Sequence, residues 1–266
     1  MLTQIVVATY NGEQYQLLSK LLTSLTKVKN ENNIKVLIVD NMSDNKEHLD
    51  TLERFKNKEH NYPFEIEVTT NTRRGFDTGA YKHGIMQVVN TADYYLFIQD
   101  DIEFCQDNWD RTFINTFELG QDSSNERKAL FTAFCGQNVE YNPYHHQIEW
   151  VREWLQTSDL GKYNCFGPMW FINNTNLVTL IRSEQYQILH TRAFPLTHKG
   201  THQEGMESGM ASLAYTLGYT INWVTWRNRG GLGPDHNDGR YHEPGWYPLY
   251  HTMAKISTTR PNEYLT

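Results

Sequence analysis

Only three cysteines occur in the 266 residues, Cys105, Cys135 and Cys165, too few and too widely spaced for a zinc knuckle or a disulfide scaffold. A reducing compartment suits such a chain, and the sequons at Asn41 and Asn173 then go unused. No excess of positive charge is present: 24 Lys and Arg against 31 Asp and Glu leave a net charge of −7, which argues against nucleic acid or an anionic membrane as the general partner. No apolar run reaches membrane-spanning length. Met1-Leu-Thr-Gln runs straight into a strand-like segment, so a cytoplasmic location without a signal peptide is expected. Repeats and low-complexity linkers are missing too, which favours one domain over 1–266. Hydrophobic content of 39% with 13% aromatics is enough for a packed core.

What is present is an alternation. Gln4–Ala8, Ile34–Val39, Phe64–Val68 and Tyr94–Ile98 read as strands. Between them lie a leucine-spaced helix over 13–27, a charged surface helix over Lys46–Lys58, and a helix ending near Val89. The order β-α-β-α-β-α-β predicts an α/β fold with a mostly parallel sheet and helices on both faces. Beyond it, helices are expected over 107–119, from Thr175 and over 203–217, with strands over 129–134, 165–173 and 219–226. Residues 227–242, rich in Gly, His, Asn and Asp without a period, read as a functional lid.

The most informative stretch is Tyr94–Glu103, YYLFIQDDIE. Its unbroken apolar half is that of a strand buried on both faces. Its end switches to Asp100 and Asp101, at the place where open α/β sheets bind ligands. Adjacent carboxylates repel unless something positive lies between them, and an oxygen-rich site of this kind suits Mg²⁺ or Mn²⁺ holding a substrate phosphate. A solvated acidic turn is the plain alternative. Arg73 and Arg74, in the loop before the third helix, either pair with phosphate oxygens or stay solvated. Asp77 either contacts ribose or sugar, or caps the helix it precedes.

Four stretches together carry a resemblance: VATYNG after the first strand, IVDNMSDN after the second, the Asn71–Gly79 loop, and FIQDDIE. They resemble nucleotide-diphospho-sugar glycosyltransferases of the GT-A fold, family 2, over roughly residues 4–226. A fifth stretch, Gly205-Met-Glu-Ser, precedes a helix ending Leu217-Gly218-Tyr219. The family's catalytic Asp lies eleven residues before that glycine, which places Glu207 there. Gln99 stands where the family often has Asp, and Met206-Glu207 replaces Glu-Asp.

The resemblance implies a division into a nucleotide-sugar half (1–104), an acceptor half (105–226) and a C-terminal loop and tail (227–266). It implies that Asp40 contacts the nucleoside, with Thr9, Tyr10 and Asn11 lining the same pocket, and that Asp100 meets ribose or a metal-bound water. Asp101 would ligate the metal, joined by a C-terminal histidine, His236 ahead of His242. Glu207 would be the base, with Glu204 the competitor. Sugars stack on indoles, so Trp150, Trp154, Trp170 and Trp246 are of interest, and Trp170 and Trp246 are taken for the acceptor cleft. The implied activity is transfer of a sugar from a nucleoside-diphosphate donor to a glycan or other hydroxyl with inversion. A nucleotidyltransferase would need a Gly-rich basic loop after the first strand, where only Tyr10-Asn11-Gly12 stands. A non-catalytic binding module, consistent with Gln99 and Ser208, is the other alternative. Donor, acceptor and oligomeric state stay open.

Overall fold

The computed structural model describes residues 1–72, 76–122, 124–138, 163–165, 169–187, 209–226 and 249–251. The alternation is realised as β1 (Leu2–Thr9), a 3-10 turn (Gly12–Tyr15), α1 (Leu17–Lys27), β2 (Asn33–Asp40), α2 (Lys46–Lys56), β3 (Glu65–Thr70), α3 (Phe76–Val88) and β4 (Tyr94–Gln99). There follow β5 (Ile102–Phe104), α4 (Trp109–Leu119), β6 (Ala129–Asn138), β7 (Tyr163–Cys165), β8 (Trp170–Asn173), α5 (Asn174–Arg182), β9 (Thr220–Trp226) and β10 (Leu249–His251). Residues 209–216 are helical.

One eight-stranded sheet runs β3-β2-β1-β4-β8-β6-β7, with β9 also pairing β6. β1 to β4 are mutually parallel, whereas β8 lies antiparallel to both β4 and β6. The sheet is therefore mostly parallel with helices on both faces, as the alternation implies. Alternate residues of the central strands feed two cores. On one face Ile5, Val7, Val36, Ile38, Leu96 and Ile98 meet the leucines of α1, Leu52 and Phe55 of α2, and Trp109, Phe113 and Phe117 of α4. On the other, Val6, Leu37, Val39, Tyr95 and Phe97 meet Tyr81 and Ile85 of α3, Leu177 and Leu180 of α5, and Leu213 of the 209–216 helix. Five leucines of α1 are almost wholly buried, each contributing about 1.5–3 kcal/mol by removal from water.

Several boundaries differ from the sequence expectation. The first helix does not begin at Glu13: Gln16 sits at φ 55°, a left-handed residue that ends the 3-10 turn and caps α1. The expected strand over 165–173 is two strands, β7 ending at Cys165 and β8 starting at Trp170. β5 and β10 were not expected. They form a separate antiparallel pair in which Tyr250 opposes Glu103 and His251 opposes Ile102, so the C-terminal region returns to the chain just after Asp101. The lid over 227–242 lies outside the described residues.

Candidate active site

The ladder registers set Thr9 beside Asp40, Asp40 beside Thr70, and Ala8 beside Gln99. Thr9, Asp40 and the Asp100-Asp101 pair therefore leave the same edge of the sheet, at the carboxyl ends of β1, β2 and β4. From β1 the chain steps to β2 and β3 on one side and to β4 on the other, so this edge holds the switch in strand order. A crevice at such a switch point is where open α/β sheets take their ligands.

Polar side chains here are buried and bonded to one another. The Thr9 hydroxyl donates to Asp100 Oδ2 at 2.6 Å, and Asp100 N–H donates to Ala8 O. Gly12 approaches so closely that a Cβ there would stand 2.0 Å from Asp100 Oδ2. The missing side chain is thus the space the Asp100 carboxylate fills. Asp101, one residue on, is 4% exposed.

Asp40 is 2% exposed, and its Oδ1 accepts from Ser43 N–H at 3.1 Å, the turn role that competes with ligand contact. Its Oδ2 accepts no hydrogen bond among the described residues. Asn11, at φ 54°, spends its amide on the neighbouring loop: Oδ1 accepts from Asp44 and Asn45 N–H, and Nδ2 donates to Asp44 Oδ1 at 2.7 Å. Its N–H donates to Ser43 Oγ. Asn11 therefore clips the β1 and β2 loops together, and its role in the pocket is to hold the wall. Asn71 Nδ2 extends the stitching to Asn41 Oδ1, and Asn71 N–H to Asp40 O. Tyr10 lies half-buried in the same loop.

Sequence reasoning missed His48. It was assigned to a charged surface helix, yet it is fully buried at the start of α2, against the site. Its Nδ1 accepts from Glu13 N–H at 3.2 Å, so the ring proton resides on Nε2. Nε2 faces Thr9 Oγ1 at 3.4 Å and Asp40 Oδ1 at 3.8 Å. Burial lowers the pKa of His48, against the opposing pull of Asp40, and the ring is neutral at pH 7. A signal was available: His48, Leu52 and Phe55 fall at i, i+4 and i+7, one buried stripe.

Trp170, taken for the acceptor cleft, is a core residue. Its indole stacks on Phe97 with centroids 4.0 Å apart, touches Phe131, and is 2% exposed. One ring face is consumed by Phe97, so the packing that seats β8 against β4 leaves it no sugar platform. Arg73, Arg74, Glu207, His236 and Trp246 lie outside the described residues, as do Glu204, His242, Trp150 and Trp154. Asp77 stands in the first turn of α3. Among the described residues no three His, Cys, Asp or Glu side chains gather into a metal cluster.

With this geometry in hand, comparison with known proteins is decisive for the family. The model of "Glycosyl transferase family 2" matches residues 4–175, which span all three carboxylates of the crevice. The chain belongs to glycosyl transferase family 2. Curated proteins offer no match. Among solved structures, the chain is similar to Staphylococcus aureus TarS in complex with UDP-GlcNAc, at 19% identity over 50% of this chain and 34% of that one, TM-score 0.35. The WbbM bifunctional glycosyltransferase overlaps 83% of this chain and 38% of its own at 12% identity, TM-score 0.49. GlyE of Streptococcus pneumoniae TIGR4 overlaps 82% of this chain and 44% of its own at 12% identity, TM-score 0.42. This chain thus spans less than half the length of those it matches. No helix among its described residues is long and apolar enough to cross a membrane.

Proposed function

We propose that this glycosyltransferase moves a sugar from a nucleoside-diphosphate donor to a hydroxyl of a glycan or other acceptor, with inversion and with Mn²⁺ or Mg²⁺ as cofactor. It would act in the cytoplasm, in polysaccharide or glycan synthesis. The observation that carries the reading is the common edge of Thr9, Asp40 and Asp100-Asp101 at the switch between β1 and β4. Residues 1–104 form the donor half in this reading, 105–226 the acceptor half, and 227–266 the C-terminal loop and tail.

Asp40 offers its Oδ2 to the nucleoside, while Oδ1 stays engaged with Ser43. Tyr10 lines the pocket beside it, and Arg73 and Arg74 supply forked donors to the diphosphate. Asp77, already inside the first turn of α3 rather than ahead of it, is left with the contact to ribose or sugar. The chemistry of the donor set fits a divalent ion such as Mn²⁺ or Mg²⁺: two adjacent carboxylates, one of them buried, supply hard oxygen ligands. Asp101 would bind it directly, Asp100 would meet the ribose or a metal-bound water, and His236 would complete the shell. When bound, the ion neutralises charge on the departing nucleoside diphosphate. Glu207, just ahead of the helix at 209–216, takes the proton from the acceptor hydroxyl, and attack from the opposite face inverts the anomeric centre. Trp246 is retained for the acceptor side.

The test is donor turnover with UDP-, GDP- and dTDP-sugars in Mn²⁺, read as nucleoside diphosphate released, beside binding of the free diphosphates. Asp101→Ala should abolish Mn²⁺-dependent binding. Glu207→Gln should preserve binding and slow transfer by about 10²–10⁴-fold. Mn²⁺-dependent binding that survives in Asp101→Ala removes that residue from the ligand set, and normal turnover in Glu207→Gln assigns the base elsewhere.

A further inference from the structure

Asp40 and Asp100, on the two sides of the crevice, stand at the ends of different strands, and one buried imidazole lies beside Asp40 and reaches Asp100 through Thr9. We propose that His48 is a positioning residue that holds the Asp100 carboxylate in its binding orientation through the Thr9 hydroxyl. The inference deepens the donor-site reading above and rests on it for the purpose of the carboxylate, though not for its orientation.

The direction of each hydrogen bond follows from the donors available. Glu13 N–H is a fixed donor to His48 Nδ1 at 3.2 Å, which leaves the ring's single proton on Nε2. Nε2–H points to Thr9 Oγ1 at 3.4 Å, with Asp40 Oδ1 at 3.8 Å alongside. The Thr9 hydroxyl has one proton, and the ionised Asp100 carboxylate can only accept, so Oγ1–H is given to Asp100 Oδ2 at 2.6 Å. The order is Glu13 N–H to imidazole, imidazole N–H to hydroxyl, and hydroxyl to carboxylate. The imidazole and the hydroxyl each accept from one neighbour and donate to the next, so the ring's donation to Thr9 leaves the hydroxyl proton for Asp100. Without the imidazole, the Thr9 hydroxyl loses the donor that fills its lone pair, and its bond to Asp100 is no longer backed from behind.

The surroundings hold the ring rigidly. His48 is fully buried, and its own N–H donates to Asn45 Oδ1, the α2 cap. Gly12 closes the other side of Asp100, leaving no room for a Cβ. The carboxylate thus sits between a wall that cannot grow and a hydroxyl whose rotation is fixed.

Two substitutions separate the two nitrogens. In His48→Gln the amide nitrogen falls near the Nε2 position and keeps the arm to Thr9. In His48→Asn the amide oxygen falls near Nδ1 and keeps only the arm to Glu13. Thr9→Val removes the hydroxyl at constant shape. Crystal structures of the ligand-free full chain should show Asp100 Oδ2 still against Thr9 Oγ1 in His48→Gln. The carboxylate should be displaced in His48→Asn and in Thr9→Val. Titration with UDP, GDP and dTDP in Mn²⁺ should show affinity near that of the parent for His48→Gln and about tenfold or more lost for His48→Asn, the size of one buried hydrogen bond. Melting temperatures of the two His48 variants should fall together. An unmoved Asp100 in His48→Asn overturns the inference, as does equal loss of affinity in both His48 variants. If the parent binds none of the three diphosphates, the donor-site reading fails, while the crystal structures still decide whether His48 orients Asp100.

Discussion

Gly12 is the residue at which fold and function are most cleanly separable. A methyl added there would stand 2.0 Å from Asp100 Oδ2 and 3.1 Å from Thr9 Oγ1. Both atoms belong to side chains, and the carboxylate is the end that can swing, so the backbone need not move. Gly12→Ala should therefore cost only about 0.5–1.5 kcal/mol of stability, the penalty of an off-rotamer Asp100. Mn²⁺-supported nucleotide binding should weaken at the same time by an order of magnitude or more. Urea unfolding and titration on one preparation check the split; a variant that unfolds far more easily while binding normally refutes it. Glycine at position 12 was legible in sequence only as turn chemistry, because its partner lies 88 residues away and is brought there by the β1–β4 register. The same holds for Asn11, whose amide is occupied by residues 44 and 45 of the next loop. The carboxylates were legible for a different reason. Each ends an apolar strand abruptly, and that transition is local to the chain.

At the scale of elements, α3 is seated closely on the sheet. Gly84 lies against β1 and β2, and a Cβ on it would be 2.7 Å from Val6 Cγ1 and 3.1 Å from Val39 Cγ2. Those valines are fully buried and β-branched, so neither can turn aside. Gly84→Ala should overpack the interface by about 1–3 kcal/mol, partly offset by the roughly 1 kcal/mol that alanine adds to a helix. A net loss in unfolding free energy is expected, and a more stable variant would show that α3 can slide outward at little cost. Helix α2 shows why pattern reading succeeded on the sheet and missed a site residue. Its charged letters, KEHLDTLERFK, suggest a solvated helix, whereas its buried stripe is only three residues wide and begins with the imidazole. β5 and β10 escaped for a simpler reason: strands of three residues carry no period, and their pairing joins positions almost 150 apart. The GT-A order itself was legible because each early strand is followed by a helix with an apolar face.

Across the whole molecule, the two cores meet at a central sheet whose carboxyl edge carries a neutral buried histidine, and this ties stability to pH. In the unfolded chain His48 takes a proton with a pKa near 6.5. In the folded chain burial lowers that value, and protonation at Nδ1 would also expel Glu13 N–H. The unfolded state therefore binds more protons between the folded value and about 6.5. Stability from this group is fully present above about pH 6.5 and is lost as pH falls toward the folded value, at up to about 1.4 kcal/mol per pH unit. Ten other histidines and 31 carboxyl side chains titrate as well, so the parent's pH profile alone cannot assign the effect. The difference between parent and His48→Gln cancels them. Urea unfolding of both chains from pH 8 to pH 5 should show a stability gap that is constant above about pH 6.5 and narrows below it. A gap that holds steady down to pH 5 would mean that the folded protein accepts a proton on His48 as readily as the unfolded chain does. The neutral tautomer, and with it the fixed direction of the Thr9 hydroxyl, would then lose its basis.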